Sequence, residues 1–88
     1  MIYWTSYDLD KPGQDYTDLI RAIKNLGGRP ILRSDWLINT TLTTVQLRDH
    51  LMGFMDGNDR IFVAGLNGVA AWNNTITNTE DIKKLFAA

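Results

Sequence analysis

The stretch WLINTTLTTVQLRDHL, residues 36–51, joins a strand to a helix and contains the clearest structural boundary in the chain. Trp36–Thr41 is rich in residues that favour β-strands. Thr43 and Gln46 have the spacing of a capping box, in which each side chain bonds the backbone N–H of the other residue. The sequence therefore predicts a strand followed at once by a helix that begins at Thr43. The apolar residues expected on the buried face of this helix are Leu47, Leu51, Phe54 and Met55.

Strands and helices alternate on both sides of this boundary. The other predicted strands are Met1–Tyr7, Arg29–Arg33 and Arg60–Leu66, with Val69–Trp72 as one further short strand. The other predicted helices are one capped by Asp15 and ended by Gly27-Gly28, and a short C-terminal one opened by a capping box of Thr77 and Glu80. Ser34 and Asp35 are expected to form the turn between the second and third strands.

This order of elements, β-α-β-β-α-β, predicts a fold class. Two right-handed β-α-β crossovers give an α+β, ferredoxin-like antiparallel sheet with both helices on one face. A short C-terminal strand and helix complete a single domain of residues 1–88. Pro30 cannot donate a backbone hydrogen bond, so the second strand should lie at an edge of the sheet.

Composition restricts the class of protein further. The 88 residues include no cysteine and carry a formal net charge of −1. The absence of cysteine excludes a disulfide framework, and the net charge argues against a broad basic surface for nucleic acid but not against a local basic patch. No apolar run approaches the roughly 20 residues that span a membrane, and the N-terminus does not resemble a signal peptide. We expect a cytoplasmic protein without a membrane partner.

The sheet carries apolar side chains on both faces, and this predicts self-association. Ile2 and Trp4 point to the opposite face from Tyr3 and Tyr7 in the first strand. The two long helices can cover only one face, and a chain this short has a marginal core. We expect a second copy of the chain to cover the other face as a homodimer. The alternative is a monomer in which the C-terminal segment folds back over it.

Four short motifs give the chain a resemblance to a known family. The motifs are SYDL (6–9), KPGQDY (11–16), RSDWLINT (33–40) and TTVQLRDHL (43–51). They resemble the small ferredoxin-like CRISPR-associated proteins of spacer acquisition, and most closely the stand-alone SinR-like and VapD-like relatives. The resemblance covers roughly residues 1–72 and implies a homodimer of βαββαβ units.

The resemblance also implies a nuclease site. In several members of that family, the aspartate that closes the first strand acts in metal-dependent cleavage of RNA or DNA, and Asp8 falls on that position. Two Asp8 carboxylates facing each other across a dimer axis can hold one Mg²⁺ that activates a water molecule. Asp8 is then both the catalytic and the metal-binding residue. The alternative is that Asp8 only makes a turn with Asp10.

Substrate contacts are expected near the same axis. Arg33 and Ser34 can contact a phosphate there, and Ser34 resembles a serine in the hairpin of the family, whereas Arg33 can equally be an edge-strand solubilising residue. The three tryptophans can stack on bases or lie in the core or the dimer contact. Two functions follow: a metal-dependent endonuclease of RNA or DNA, or a non-catalytic dimeric module for a protein or nucleotide partner.

Overall fold

The elements of the protein, given by a computed structural model that describes residues 1–10 and 16–88, follow one another in the expected order. They are β1 (Ile2–Asp8), α1 (Thr17–Asn25), β2 (Arg29–Leu32), β3 (Asp35–Asn39), α2 (Thr44–Met52), β4 (Arg60–Leu66) and α3 (Thr79–Ala87). The four strands form one antiparallel sheet in the order β2-β3-β1-β4. This arrangement confirms the ferredoxin-like α+β fold. The expected cap of α1, Asp15, lies outside the described residues.

Side chains alternate between two faces of the sheet because successive residues of a strand point in opposite directions. On the face that carries α1 and α2, Tyr3, Trp36 and Ile38 are buried in the main core. Its helical half consists of Leu19, Ala22, Ile23, Leu47 and Leu51. We call the opposite side the second face. There, Ile2 and Leu37 are buried against Ile82 of α3.

The start of α2 confirms the predicted capping box. The Thr43 hydroxyl accepts the Gln46 N–H at 3.1 Å, and the Gln46 side chain accepts the Thr43 N–H at 2.9 Å. Phe54 was expected on the buried face of this helix, and that prediction is wrong. Because α2 ends at Met52, Phe54 leaves the helical face; it is 41% exposed and lies edge-on against the His50 ring.

Pro30 lies in an edge strand, as predicted. The backbone N–H groups of Ile76 and Thr77 donate to the Ile31 and Pro30 carbonyls at 2.9 and 3.0 Å, so the C-terminal segment covers the outer side of β2. Asp35 is the first residue of β3 and not part of the turn, and Arg33 and Ser34 form the connection.

Two further predictions about the C-terminal segment are wrong. Val69–Trp72 is not a strand, since the chain leaves the sheet at Gly68, which has a φ of +92°. The cap of α3 is Asn78, whose side chain accepts the Asp81 N–H at 2.9 Å, and not the expected box of Thr77 and Glu80. Thr77 is still extended at this point because its N–H is bonded to β2.

The C-terminal segment covers only part of the second face. α3 packs over the end that carries Ile2 and Leu37, and the stacked rings of Trp72 and Phe86, 6.2 Å apart, lie beside it. At the other end, Phe62 is 60% exposed. Within the described ranges, no helix has the length and apolar character needed to cross a membrane.

Candidate functional site

Asp8 ends β1 at the edge of the second face. Its partner in the β1–β4 register is Arg60, the first residue of β4. The Arg60 guanidinium donates to the Asp8 carboxylate at 3.1 Å, and the two side chains are 82% and 71% exposed. The carboxylate therefore already has a cationic partner in solvent, which sequence analysis did not predict.

Ser34 and Arg33 reach the same end of the sheet as Asp8. The Tyr7 N–H donates to the Ser34 carbonyl at 3.2 Å, which extends the β1–β3 ladder by one residue beyond Asp35. Ser34 has a φ of 68°, the left-handed conformation of a tight connection. Arg33 is exposed next to it. The structure thus brings the three predicted site residues to one sheet end, although the described hydrogen bonds do not join their side chains.

A second carboxylate at this end of the sheet, that of Asp59, has a structural role. It accepts the backbone N–H groups of Asp10 and Asp56 at 2.8 and 2.7 Å and the Tyr16 hydroxyl at 3.1 Å. In the sequence, Asp59 closes the stretch DGND (56–59), which is typical of a tight turn. An aspartate within a turn that follows a helix was the available signal, but nothing in the sequence identified its partners 43 and 49 residues away.

The described residues at this end of the sheet do not form a cluster of metal ligands within one chain. Magnesium is held by one or two carboxylates together with waters or substrate phosphates. Asp8 is salt-bridged to Arg60, and Asp59 accepts hydrogen bonds from the backbone. Residues 1–10 and 16–88 contain no group of three or more metal-ligating side chains. A metal at Asp8 would therefore take its remaining ligands from waters, a substrate phosphate or another molecule.

An aromatic pair lies beside Asp8 on the second face. The rings of Trp4 in β1 and Phe62 in β4 lie 5.7 Å apart at an interplanar angle of 53°. Ser6 separates Trp4 from Asp8 along β1 and is paired with both Phe62 and Asp35. We call these four residues, Trp4, Ser6, Asp35 and Phe62, the open patch.

The other tryptophans have structural roles. Trp36 is buried in the main core, and its indole N–H donates to the Tyr7 hydroxyl at 3.2 Å. The Trp72 N–H donates to the Thr79 hydroxyl at 3.2 Å, and its ring stacks on Phe86. Trp4 is partly exposed and contacts Phe62 of the open patch on one side. On its other side, it lines an apolar cavity of about 120 Å³ beneath the C-terminal segment.

Comparison with known proteins does not assign the chain to a family. No protein-family model matches the chain, and no solved structure matches it significantly.

Proposed function

We propose that this protein is a non-catalytic binding module that takes single-stranded nucleic acid on the open patch. The observation that carries the proposal is the exposed Phe62 ring against Trp4 on the sheet face opposite α1 and α2. A contiguous apolar patch on the surface is a feature of binding sites, whereas apolar side chains exposed singly are common on any surface. Among such partners, a nucleobase fits an aromatic pair with polar groups at its border.

Stacking supplies the attraction in this proposal. Every base has a flat π-surface, and stacking on an aromatic side chain contributes about 1–3 kcal/mol per base. Four-stranded sheets with aromatic residues on the open face bind single-stranded RNA in this way. Trp4 and Phe62 lie on β-strands, so no loop has to be ordered when a base binds. Ser6 and Asp35 offer hydrogen-bonding groups to base edges beside the rings.

Two cations at the border of the open patch support a phosphate contact. Arg60 precedes Phe62 on the same face, and Arg33 is exposed at the same end of the sheet. A formal net charge of −1 gives no long-range attraction for a polyanion. We therefore expect weak affinity with a shallow salt dependence, because only one or two phosphates are neutralised.

A fluorescein-labelled eight-nucleotide RNA or DNA of mixed sequence, titrated at 50 mM salt and followed by anisotropy, tests the proposal. Phe62→Ala should weaken binding about tenfold through loss of one stacking contact. Phe54→Ala is the matched control, since it removes an exposed phenylalanine that follows α2 and should leave affinity unchanged. Wild-type protein that does not bind either oligonucleotide, or a Phe62→Ala variant that binds normally, would overturn the proposal.

The convergence of Asp8, Arg33 and Ser34 at one sheet end supports a second candidate function, the metal-dependent nuclease. Its test is incubation of end-labelled single- and double-stranded RNA and DNA with the pure protein in Mg²⁺ or Mn²⁺. Cleavage that is lost in Asp8→Asn would establish this function. If all four nucleic acids stay uncleaved with both metals, the nuclease function is ruled out, and the binding proposal is not affected.

A further inference from the structure

The two edges of the sheet differ in how they are protected against pairing with another strand. Natural sheets block their edges with proline, bulges, charged side chains or a covering segment. The β2 edge has three such features: Pro30, an irregular register between Pro30 and Leu32, and the bonds from Ile76 and Thr77. Another chain therefore cannot extend the sheet at β2.

The β4 edge has none of these features within the described residues. Its seven residues, RIFVAGL, contain no proline, pair with β1 in an unbroken register and have one charged side chain, at the first position. The elements described in the structure place no strand beyond β4. A regular strand of this length with a bare edge is a template for pairing.

The hydrogen bonds of β1 determine which groups of β4 face outward. The Tyr7 N–H bonds to the Ser34 carbonyl and the Thr40 N–H bonds to the Met1 carbonyl, so odd-numbered residues of β1 face β3. Backbone groups alternate in direction along an antiparallel strand, so the even-numbered residues of β1 face β4. Their partners in β4 are also even-numbered. The N–H and C=O groups of Ile61, Val63 and Gly65 therefore point away from the sheet.

We propose that β4 pairs antiparallel with β4 of a second copy of this chain, about a two-fold axis at Val63. Residues that face each other across such a ladder are both odd or both even. Among the symmetric registers that obey this rule, the one centred on Val63 pairs all seven residues of the strand. It joins two four-stranded sheets into one continuous sheet.

Side chains fit this register because large residues meet small ones. Phe62 lies opposite Ala64 of the partner subunit, and Ile61 lies opposite Gly65 of the partner subunit. Arg60 lies opposite Leu66 of the partner subunit, so no like charges meet. This fit favours a second copy over an unrelated peptide as the occupant.

Exposed apolar side chains flank the bare edge on both faces of the sheet, which adds buried area to the paired strands. Phe62 lies on the second face and is 60% exposed. On the helical side, Met52 is 50% exposed and lines a groove of about 110 Å³ with Met55 and Ile61. Pairing therefore covers apolar surface as well as backbone groups.

This dimer has a consequence for Asp8. Val63 is opposite Thr5, and Asp8 lies three residues further along β1. With strands about 4.8 Å apart and a rise of about 3.4 Å per residue, the two Asp8 Cα atoms lie roughly 25 Å apart. Two Asp8 carboxylates cannot share a metal ion in this arrangement. The two open patches, in contrast, lie side by side on one sheet face.

The direct test combines light scattering with amide hydrogen exchange followed by NMR at two protein concentrations. We expect twice the mass of one chain at the higher concentration. The amides of Ile61, Val63 and Gly65 should then exchange slowly, and they should exchange rapidly in the dilute monomer. Those of Phe62 and Ala64 should be protected in both states because they bond to β1. A mass of one chain up to several hundred micromolar, or a dimer whose three odd-numbered β4 amides exchange rapidly, would overturn the proposal.

Single cysteines give an independent test, because the chain has none of its own. Directly opposed residues in a hydrogen-bonded pair have Cα atoms about 5.5 Å apart, a separation that a disulfide spans. Val63→Cys should cross-link under mild oxidation, whereas Leu32→Cys at the protected edge should not. Failure of Val63→Cys to cross-link under conditions where wild-type light scattering gives a dimer would contradict the register.

A third variant separates this dimer from nucleic-acid binding. Ala64→Lys places a charge opposite Phe62 of the partner subunit and should give the mass of one chain, whereas Val69→Lys on the exposed loop should not. A Lys variant that stays dimeric would contradict the interface. Oligonucleotide affinity per chain, measured with the monomeric variant, then shows whether binding requires the β4–β4 interface.

Discussion

The Arg60 guanidinium lies 3.1 Å from the Asp8 carboxylate, across the paired ends of β4 and β1. Both side chains are mostly in solvent, so this ion pair contributes at most about 1 kcal/mol to stability. The ion pair matters more for the charge of the site than for stability. It holds the carboxylate against the cation that, in the proposed function, would meet a phosphate next to Phe62.

Asp8→Asn is the first prediction, and the sign of its effect on oligonucleotide affinity tests the role of Arg60. Removal of the carboxylate releases Arg60 and should tighten oligonucleotide binding by about two- to fivefold, which corresponds to a surface ion pair of roughly 0.5–1 kcal/mol. The matched control is Asp49→Asn. It changes the net charge equally and breaks the 2.9 Å pair with Arg48 on α2. Weaker binding by Asp8→Asn than by the control would contradict this role for Arg60.

Thr43→Ala tests the capping box of α2. It removes the hydroxyl that accepts the Gln46 N–H at 3.1 Å and should lower the free energy of unfolding by about 1 kcal/mol. Urea denaturation followed by circular dichroism measures the change. Thr44→Ala, one residue inside the helix, is the control and should have little effect. Equal urea midpoints for wild type and Thr43→Ala would mean that the cap does not stabilise the fold.

Thr5→Val should stabilise the protein. Thr5 is fully buried, and its hydroxyl finds no hydrogen-bond partner among the described residues. A buried hydroxyl without a partner carries a desolvation cost, so a methyl group of the same shape should raise the free energy of unfolding by about 1 kcal/mol. Thr5→Ala, which leaves a cavity instead, should destabilise. A lower melting temperature for Thr5→Val would show that the hydroxyl has a partner after all.

Ile82→Ala tests whether α3 holds the covered end of the second face. Ile82 is buried against Ile2 and Leu37, and loss of its side chain should cost about 2–5 kcal/mol. Ile76→Ala, at a residue that is 64% exposed, should change stability by less than about 0.5 kcal/mol. If the two variants unfold at the same urea concentration, α3 does not pack as described.

Local signals in the sequence predicted most of the fold. The capping box at Thr43 and Gln46 and the missing N–H of Pro30 act through backbone hydrogen bonds a few residues away, and both are confirmed. Predictions failed where a distant part of the chain decided the outcome. Thr77 is extended and does not cap α3, because its N–H bonds to the Pro30 carbonyl across 47 residues of sequence.

The candidate site was predictable only in part for the same reason. The end of β1 and the turn after β2 placed Asp8, Arg33 and Ser34 at one sheet end. Arg60 pairs with Asp8 across 52 residues, and only the β1–β4 register reveals it. Sequence analysis also expected a second copy to cover the second face. The structure shows α3 covering one end of that face, while self-association stays a prediction.

The most direct test of the proposed function is a two-dimensional NMR titration with an unlabelled eight-nucleotide oligonucleotide. It follows the indole N–H signals of the three tryptophans. The Trp4 signal should shift progressively, together with the amides of Ser6 and Phe62. The Trp36 signal should stay in place, because Trp36 is buried in the main core on the opposite face of the sheet and its N–H group bonds to Tyr7. A Trp4 signal that does not move at saturating oligonucleotide, or shifts confined to another surface, would contradict binding at the open patch.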